Sequence, residues 1–88
     1  MDTRTDIVVL LVDDQRIVVE AVRRLLADES DIVLHFELDP QRAIERAVEV
    51  GADVILQDLI MPGVDGLDLV RDYRNDERTA NLPLVVLS

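Results

Sequence analysis

The stretch Ile7–Val12, "IVVLLV", is six aliphatic residues without a polar interruption, and it ends on two adjacent carboxylates, Asp13 and Asp14. The run is too short for a helix and offers no polar face, so it reads as a strand buried on both sides. A strand of that kind needs a layer of structure above it and another below. The two acids stand at its very edge, where like charges repel. Taken alone, they read equally well as an acidic pair facing the positive end of a helix dipole.

The residues that follow supply the layers. From Arg16 to Ala27, Val18, Val22 and Leu25 recur at helical spacing beside Ala21 and Leu26, with Arg23 and Arg24 between them, which predicts an amphipathic helix. Ile32–Leu38 predicts a second strand. Asp39 before Pro40 is a helix start, an Asp N-cap followed by Pro at the first helical position. Ala43, Ile44, Ala47 and Val48 mark that helix's apolar face, and Gly51 ends it. Val54–Gln57 predicts a third strand, closed by Asp58. "LIMPGVDG" reads as a loop, then Leu67–Arg74 as a third helix with Leu67, Val70 and Tyr73 on one side. A polar stretch, Asn75 to Asn81, leads into "LPLVVLS", a fourth strand with Pro83 near its start, where a ladder bond is dispensable.

Strands alternating with helices imply a parallel sheet with right-handed crossovers. With 88 residues this is one domain at most. Hydrophobic residues make up 49% of the chain with a single Phe and a single Tyr, so the core must be aliphatic. No apolar run approaches the roughly 20 residues of a membrane helix, and "MDTRTD" lacks the pattern of a signal peptide. Without Cys there is no disulfide or thiolate metal site, and a cytoplasmic location is the expectation. The net charge of −10 argues against a nucleic-acid surface. All nine cationic residues are Arg, and there is no Lys.

In a parallel sheet the C-terminal ends of the strands share one rim, and open α/β sheets bind ligands there. Asp13 and Asp14 follow the first strand, Asp58 the third, and Ser88 the fourth. If the first and third strands are neighbours, three carboxylates converge. At about 5 Å they repel by roughly 3 kcal/mol per pair at an effective dielectric near 20. A hard divalent cation offsets that, and Mg²⁺ takes carboxylate oxygens while keeping several waters. The set contains no His or Cys, which disfavours zinc. An Asp beside such a cation can act as a nucleophile toward phosphorus.

"LLVDDQ" (Leu10 to Gln15), "VILQDLIMPGVDG" (Val54 to Gly66) and the strand-end Ser88 together resemble the receiver domains of two-component response regulators, along the whole chain. The resemblance implies an α/β, flavodoxin-like, doubly wound parallel sheet of strand order 2-1-3-4-5, for which a receiver is a standard example. It also implies that the first and third strands are adjacent. It assigns Asp58 as phosphoacceptor, charged by a sensor histidine kinase or phosphotransfer protein. Asp13, Asp14, Asp58 and the backbone carbonyl of Ile60 become the Mg²⁺ ligands, Asp13 mainly through water. Ser88 becomes the switch hydroxyl. "ILQDLIMPGVDG" further resembles receivers fused to diguanylate cyclase output domains. A degenerate receiver that only mediates protein contacts is the alternative. A haloacid-dehalogenase-like phosphatase is rejected, because it needs a D-x-D pattern after the first strand and here the acids are adjacent.

The remaining motif residues have plainer roles. His35 reads as a mid-strand structural residue, Met61 as packing, and Asp65 and Gly66 as loop geometry entering the helix; Arg16 either reaches the phosphoryl group or is solvated. The family's fourth helix, fifth strand with its Lys-Pro pair, and fifth helix have no counterpart up to Ser88. Residues 1–88 therefore read as the N-terminal part of a receiver: a fragment, part of a longer chain, or a natural truncation. In isolation they are expected to associate through the fourth strand, as a homodimer for example, or to depend on further chain.

Overall fold

The computed structural model describes residues 6–58 and 60–87. Ile7–Val12 forms β1, the strand predicted to be covered on both faces, and Leu10, Leu11 and Val12 are fully buried. It lies between β2 (Ile32–Glu37) and β3 (Val54–Asp58), parallel to both. Two further strands, β4 (Ile60–Met61) and β5 (Val64–Asp65), form a separate antiparallel ribbon. The last strand, β6 (Leu84–Leu87), pairs parallel with β3, so the main sheet runs β2-β1-β3-β6. This is the 2-1-3-4 portion of the expected order, and β1 and β3 are neighbours as that order requires. β2 is half-buried along its whole length, as suits a strand at the sheet's edge.

Helix α1 (Arg16–Leu25) seats Val19 against the sheet, with Val18, Val22 and Leu26 half-buried beside it. The expected face included Leu25, which instead points outward with Ile17; both are nearly four-fifths exposed. The helix is buried most deeply at Val19, and Leu25 lies about 120° away from Val19 at 3.6 residues per turn, off that stripe. Arg23 and Arg24 sit in the last turn, where the dipole favours cations. The Arg23 guanidinium also lies 5.9 Å from the centre of the Phe36 ring on β2.

The Asp39–Pro40 signal starts a helical segment as predicted, but its first turn is a 3₁₀ turn over Pro40–Arg42. Asp39 Oδ1 accepts the Gln41 N–H at 2.9 Å. Helix α2 (Ala43–Val50) continues from it and stops at Gly51, whose φ of 66° is the left-handed conformation that lets a helix turn off. Ala43 and Ala47 are buried, while Val48, assigned to the apolar face, is exposed.

The segment read as a plain loop holds the β4–β5 ribbon, turned by Pro62 and Gly63. Gly63 has φ 77°, the type II pattern of Pro followed by a positive-φ glycine. Asp65 then caps α3 (Gly66–Asn75), its Oδ1 accepting the Leu67 N–H at 2.9 Å. The buried face of α3 is Gly66, Leu69 and Tyr73, at i, i+3 and i+7, with Val70 half-buried; Leu67, expected inward, is exposed. Leu10, Val12, Ile55, Ala43, Ala47, Met61, Leu69 and Tyr73 form one continuous core between the sheet and α2 and α3. The polar stretch after α3 is held by side chains. Thr79 Oγ1 donates to Tyr73 O at 2.7 Å, and Arg74 donates to the carbonyls of Ala80 and Leu82, each at 2.8 Å.

Candidate functional site

The acids meet because of register. Val12 is level with Gln57, so the next residues, Asp13 and Asp58, emerge together at the C-terminal rim of adjacent parallel strands. Asp58 is the last residue of β3, where the sequence pattern put it just past the strand's end, and it pairs with Leu87 of β6. Asp13 is almost wholly buried, Asp58 half-buried and Asp14 exposed. One carboxylate oxygen from each of Asp13, Asp14 and Asp58 lies within 4.8 Å of the others.

Local bonds fix this arrangement. The Asp13 N–H donates to Glu37 O at 3.2 Å, tying the chain to β2 as it leaves β1. Asp13 Oδ1 accepts the Gln15 N–H at 2.9 Å, which turns the backbone into α1. Burial pushes the Asp13 carboxyl above its ordinary value, the Gln15 N–H opposes that, and the neighbouring charges of Asp58 and Asp14 add to the rise. At such separations each carboxylate pair is repelled by about 1 kcal/mol in a water-like medium and about 3 kcal/mol at an effective dielectric of 20.

A shallow cleft of about 230 Å³, lined by Asp13, Val18, Asp58 and Leu87, opens on the cluster. It is several times the ~30 Å³ that one water occupies in the liquid. The donor set is oxygen only, anionic and partly open to solvent, which fits a hard divalent cation such as Mg²⁺ and offers nothing to a soft one. A larger cleft of about 350 Å³ lies between the start of α2 and α3. Among the described residues its carboxylates do not converge as Asp13, Asp14 and Asp58 do, so the candidate chemistry lies at the rim.

Of the other residues singled out from the sequence, Ser88 lies outside the described residues; its neighbour Leu87 lines the acidic cleft. Ile60 is two residues beyond Asp58, in β4, paired with Asp65. Arg16 is exposed at the start of α1, His35 pairs mid-strand with Leu10 away from the rim, and Met61 is a core residue. Gln57, within the stretch that resembles certain fused receivers, is fully buried and immediately precedes Asp58. Its Nε2 donates to Gly66 O at 3.4 Å, and its Oε1 has no partner among the described residues. A polar residue in the apolar pattern "VILQD" was the available signal.

Residues 9–88 match the family described as the response regulator receiver domain. Among characterised proteins, the chain is 32% identical over 88 residues to the transcriptional regulatory protein ResD of Bacillus subtilis, covering 100% of this chain and 35% of that protein. It is 36% identical over 89 residues to the nitrate/nitrite response regulator protein NarP of Escherichia coli, covering 100% of this chain and 41% of that one. A protein-glutamate methylesterase/protein-glutamine glutaminase of Methanosarcina acetivorans is 32% identical over 80 residues, 90% of this chain and 22% of its own length. The chain thus spans well under half of these relatives. Among solved structures, the Vibrio cholerae chemotaxis protein CheY4 superposes with a TM-score of 0.81 at 26% identity, over 93% of this chain and 68% of that chain. A response regulator receiver protein of Pseudomonas putida gives 0.80 at 28% identity, over 96% and 69%. Among the described residues, no helix is long and apolar enough to cross a membrane.

Proposed function

Because this chain belongs to the response regulator receiver domain family, the receiving part of two-component signalling switches, we propose that Asp58 is its phosphoacceptor and that Asp13, Asp14, Asp58 and the Ile60 carbonyl hold Mg²⁺. The observation that carries the reading is the convergence of three carboxylates within 4.8 Å at the end of β1 and β3. Such repulsion is a standing cost unless a cation or a reacting group offsets it.

The donor is a phosphohistidine on a sensor kinase or phosphotransfer protein. An Asp58 carboxylate oxygen attacks phosphorus in line with the scissile P–N bond. The O–P bond forms as the P–N bond breaks, and the imidazole leaves with the electron pair and recovers a proton from solvent. Bound Mg²⁺ supplies positive charge against the phosphoryl oxygens. Asp58 sits half-buried at the cleft while Asp13 is held by the Gln15 N–H, so the nucleophile is accessible and its neighbour is fixed. Ser88, which follows Leu87 in the sequence, is the hydroxyl that senses the phosphoryl group. Its movement passes the state to an output domain or partner.

Incubation with acetyl phosphate and Mg²⁺, borohydride trapping and mass spectrometry test this. One modification is expected, on Asp58, and Asp58→Asn should abolish it. Label on Asp13, or no label on the wild-type chain, would contradict the assignment; the latter would leave a receiver that acts through protein contacts alone.

A further inference from the structure

Gln57 is an expensive residue where it stands. Its side chain is fully buried, on the same face of β3 as core residue Ile55. Its Oε1 has no hydrogen-bond partner among the described residues. A buried orphan carbonyl costs about 1–3 kcal/mol, and Met or Leu would fill similar space without that cost. Packing therefore does not explain the amide.

The other end of the amide does. Nε2 donates to the backbone carbonyl of Gly66, nine residues on, at 3.4 Å. The opposite orientation would set two oxygens against each other, so the amide is the right way round. Gln57 immediately precedes Asp58, where the ribbon segment begins, and Gly66 is where that segment enters α3. The bond thus closes the base of the whole segment. Asp65, next to the clasped Gly66, is the ladder partner of Ile60, and its own side chain caps α3. Gln57 is also level with Val12 on β1 and Val86 on β6, one position below Asp13, Asp58 and Leu87. Displacement of Gly66 would pass through Asp65 to Ile60 and change the distance between the Ile60 backbone and Asp58.

We propose that Gln57 is a positioning residue whose buried amide clasps the base of the Asp58–Gly66 segment and sets the Ile60 backbone against the acidic cluster. The inference rests on the assignment of Ile60 and the three acids as the Mg²⁺ site. It predicts that Gln57 tunes metal affinity and phosphoryl transfer without contacting either the cation or the phosphoryl group.

The test is Gln57→Met in the full chain, with Gln57→Leu as a second variant. In the metal-free protein, amide hydrogen exchange at residues 60–66 should quicken while exchange in β1 and α2 is unchanged. Thermal stability should hold or rise, since the orphan oxygen is gone. Mg²⁺ affinity by calorimetry should weaken by about tenfold, as when an outer partner of a metal ligand is removed. Unchanged exchange at residues 60–66 in a folded variant would overturn the clasp, as would wild-type Mg²⁺ affinity. Failure of both variants to fold would also overturn it, by assigning Gln57 to the core alone. If the wild-type chain itself binds no Mg²⁺, the site assignment falls, and the metal-free exchange measurement still decides the clasp.

Discussion

A carboxylate stands at each end of β3, and the two are treated in opposite ways. Asp53, just before the strand, is exposed, and its Oδ2 accepts the Val8 N–H at 2.8 Å while its own N–H donates to Val8 O at 2.7 Å. It does the work of a ladder residue, stitching β3 to β1 at the N-terminal rim. Asp58, five residues on at the C-terminal rim, stands within 4.8 Å of two other carboxylates. The residue type and the strand are the same. At one end a single charge meets a backbone donor; at the other, three like charges are gathered around a cleft. A lone carboxylate met by N–H groups serves the fold, whereas three carboxylates held against one another, Asp13 among them despite its bond from the Gln15 N–H, carry a repulsion that a cation would relieve.

The sharpest way to break this contrast is to measure stability, where the two ends should respond with opposite signs. Asp53→Ala removes the acceptor for the Val8 N–H and should destabilise by about 0.5–1.5 kcal/mol in chemical denaturation, the net scale of a hydrogen bond that water can replace. Metal-free Asp13→Asn keeps an oxygen for the Gln15 N–H but deletes one charge from the cluster. It should stabilise the protein by about 1 kcal/mol, the scale of one relieved repulsion. Destabilisation by both substitutions would erase the distinction between the rims.

Asp76 gives the smallest effect and a third case. Its carboxylate is held by Arg78, which donates from Nε at 3.0 Å and from Nη2 at 2.8 Å, and the Arg78 N–H donates as well. Chiefly the side-chain bond from Arg78 lowers its pKa to about 2. A carboxyl whose pKa falls on folding adds stability above its unfolded value, and that stability is lost as pH falls through the folded value. Asp76→Asn should therefore lower the melting temperature slightly near neutral pH, with the difference from wild type closing as pH drops below about 4 toward 2. A difference that grows on acidification would mean that this pair does not stabilise the fold.

Much of this was legible in the residues, for physical reasons. An uninterrupted aliphatic run such as Ile7–Val12 has one environment open to it, a doubly covered strand, and the acids ending it had to reach the strand-end rim. Their meeting with Asp58 followed only once β1 and β3 were adjacent, which the family resemblance implied and periodicity alone did not. Helix faces were less legible. Leu25, Val48 and Leu67 are apolar and near the right spacing, yet all are exposed, because which apolar stripe turns inward depends on where each helix lands. The β4–β5 ribbon was hidden because two-residue strands carry no alternation to read. Thr79 and Gln57 were hidden because their burial depends on single backbone carbonyls, of Tyr73 and Gly66, that only the folded chain brings close.

The account turns on whether the gathered charges at the C-terminal rim make a cation site. A calorimetric titration of the full chain with Mg²⁺, run in parallel on wild type, Asp53→Asn and Asp58→Asn, asks this directly. The expected result is one ion bound in the millimolar to sub-millimolar range, unchanged affinity in Asp53→Asn and clearly weakened affinity in Asp58→Asn. Absence of saturable binding in wild type, or equal weakening by both substitutions, would contradict it.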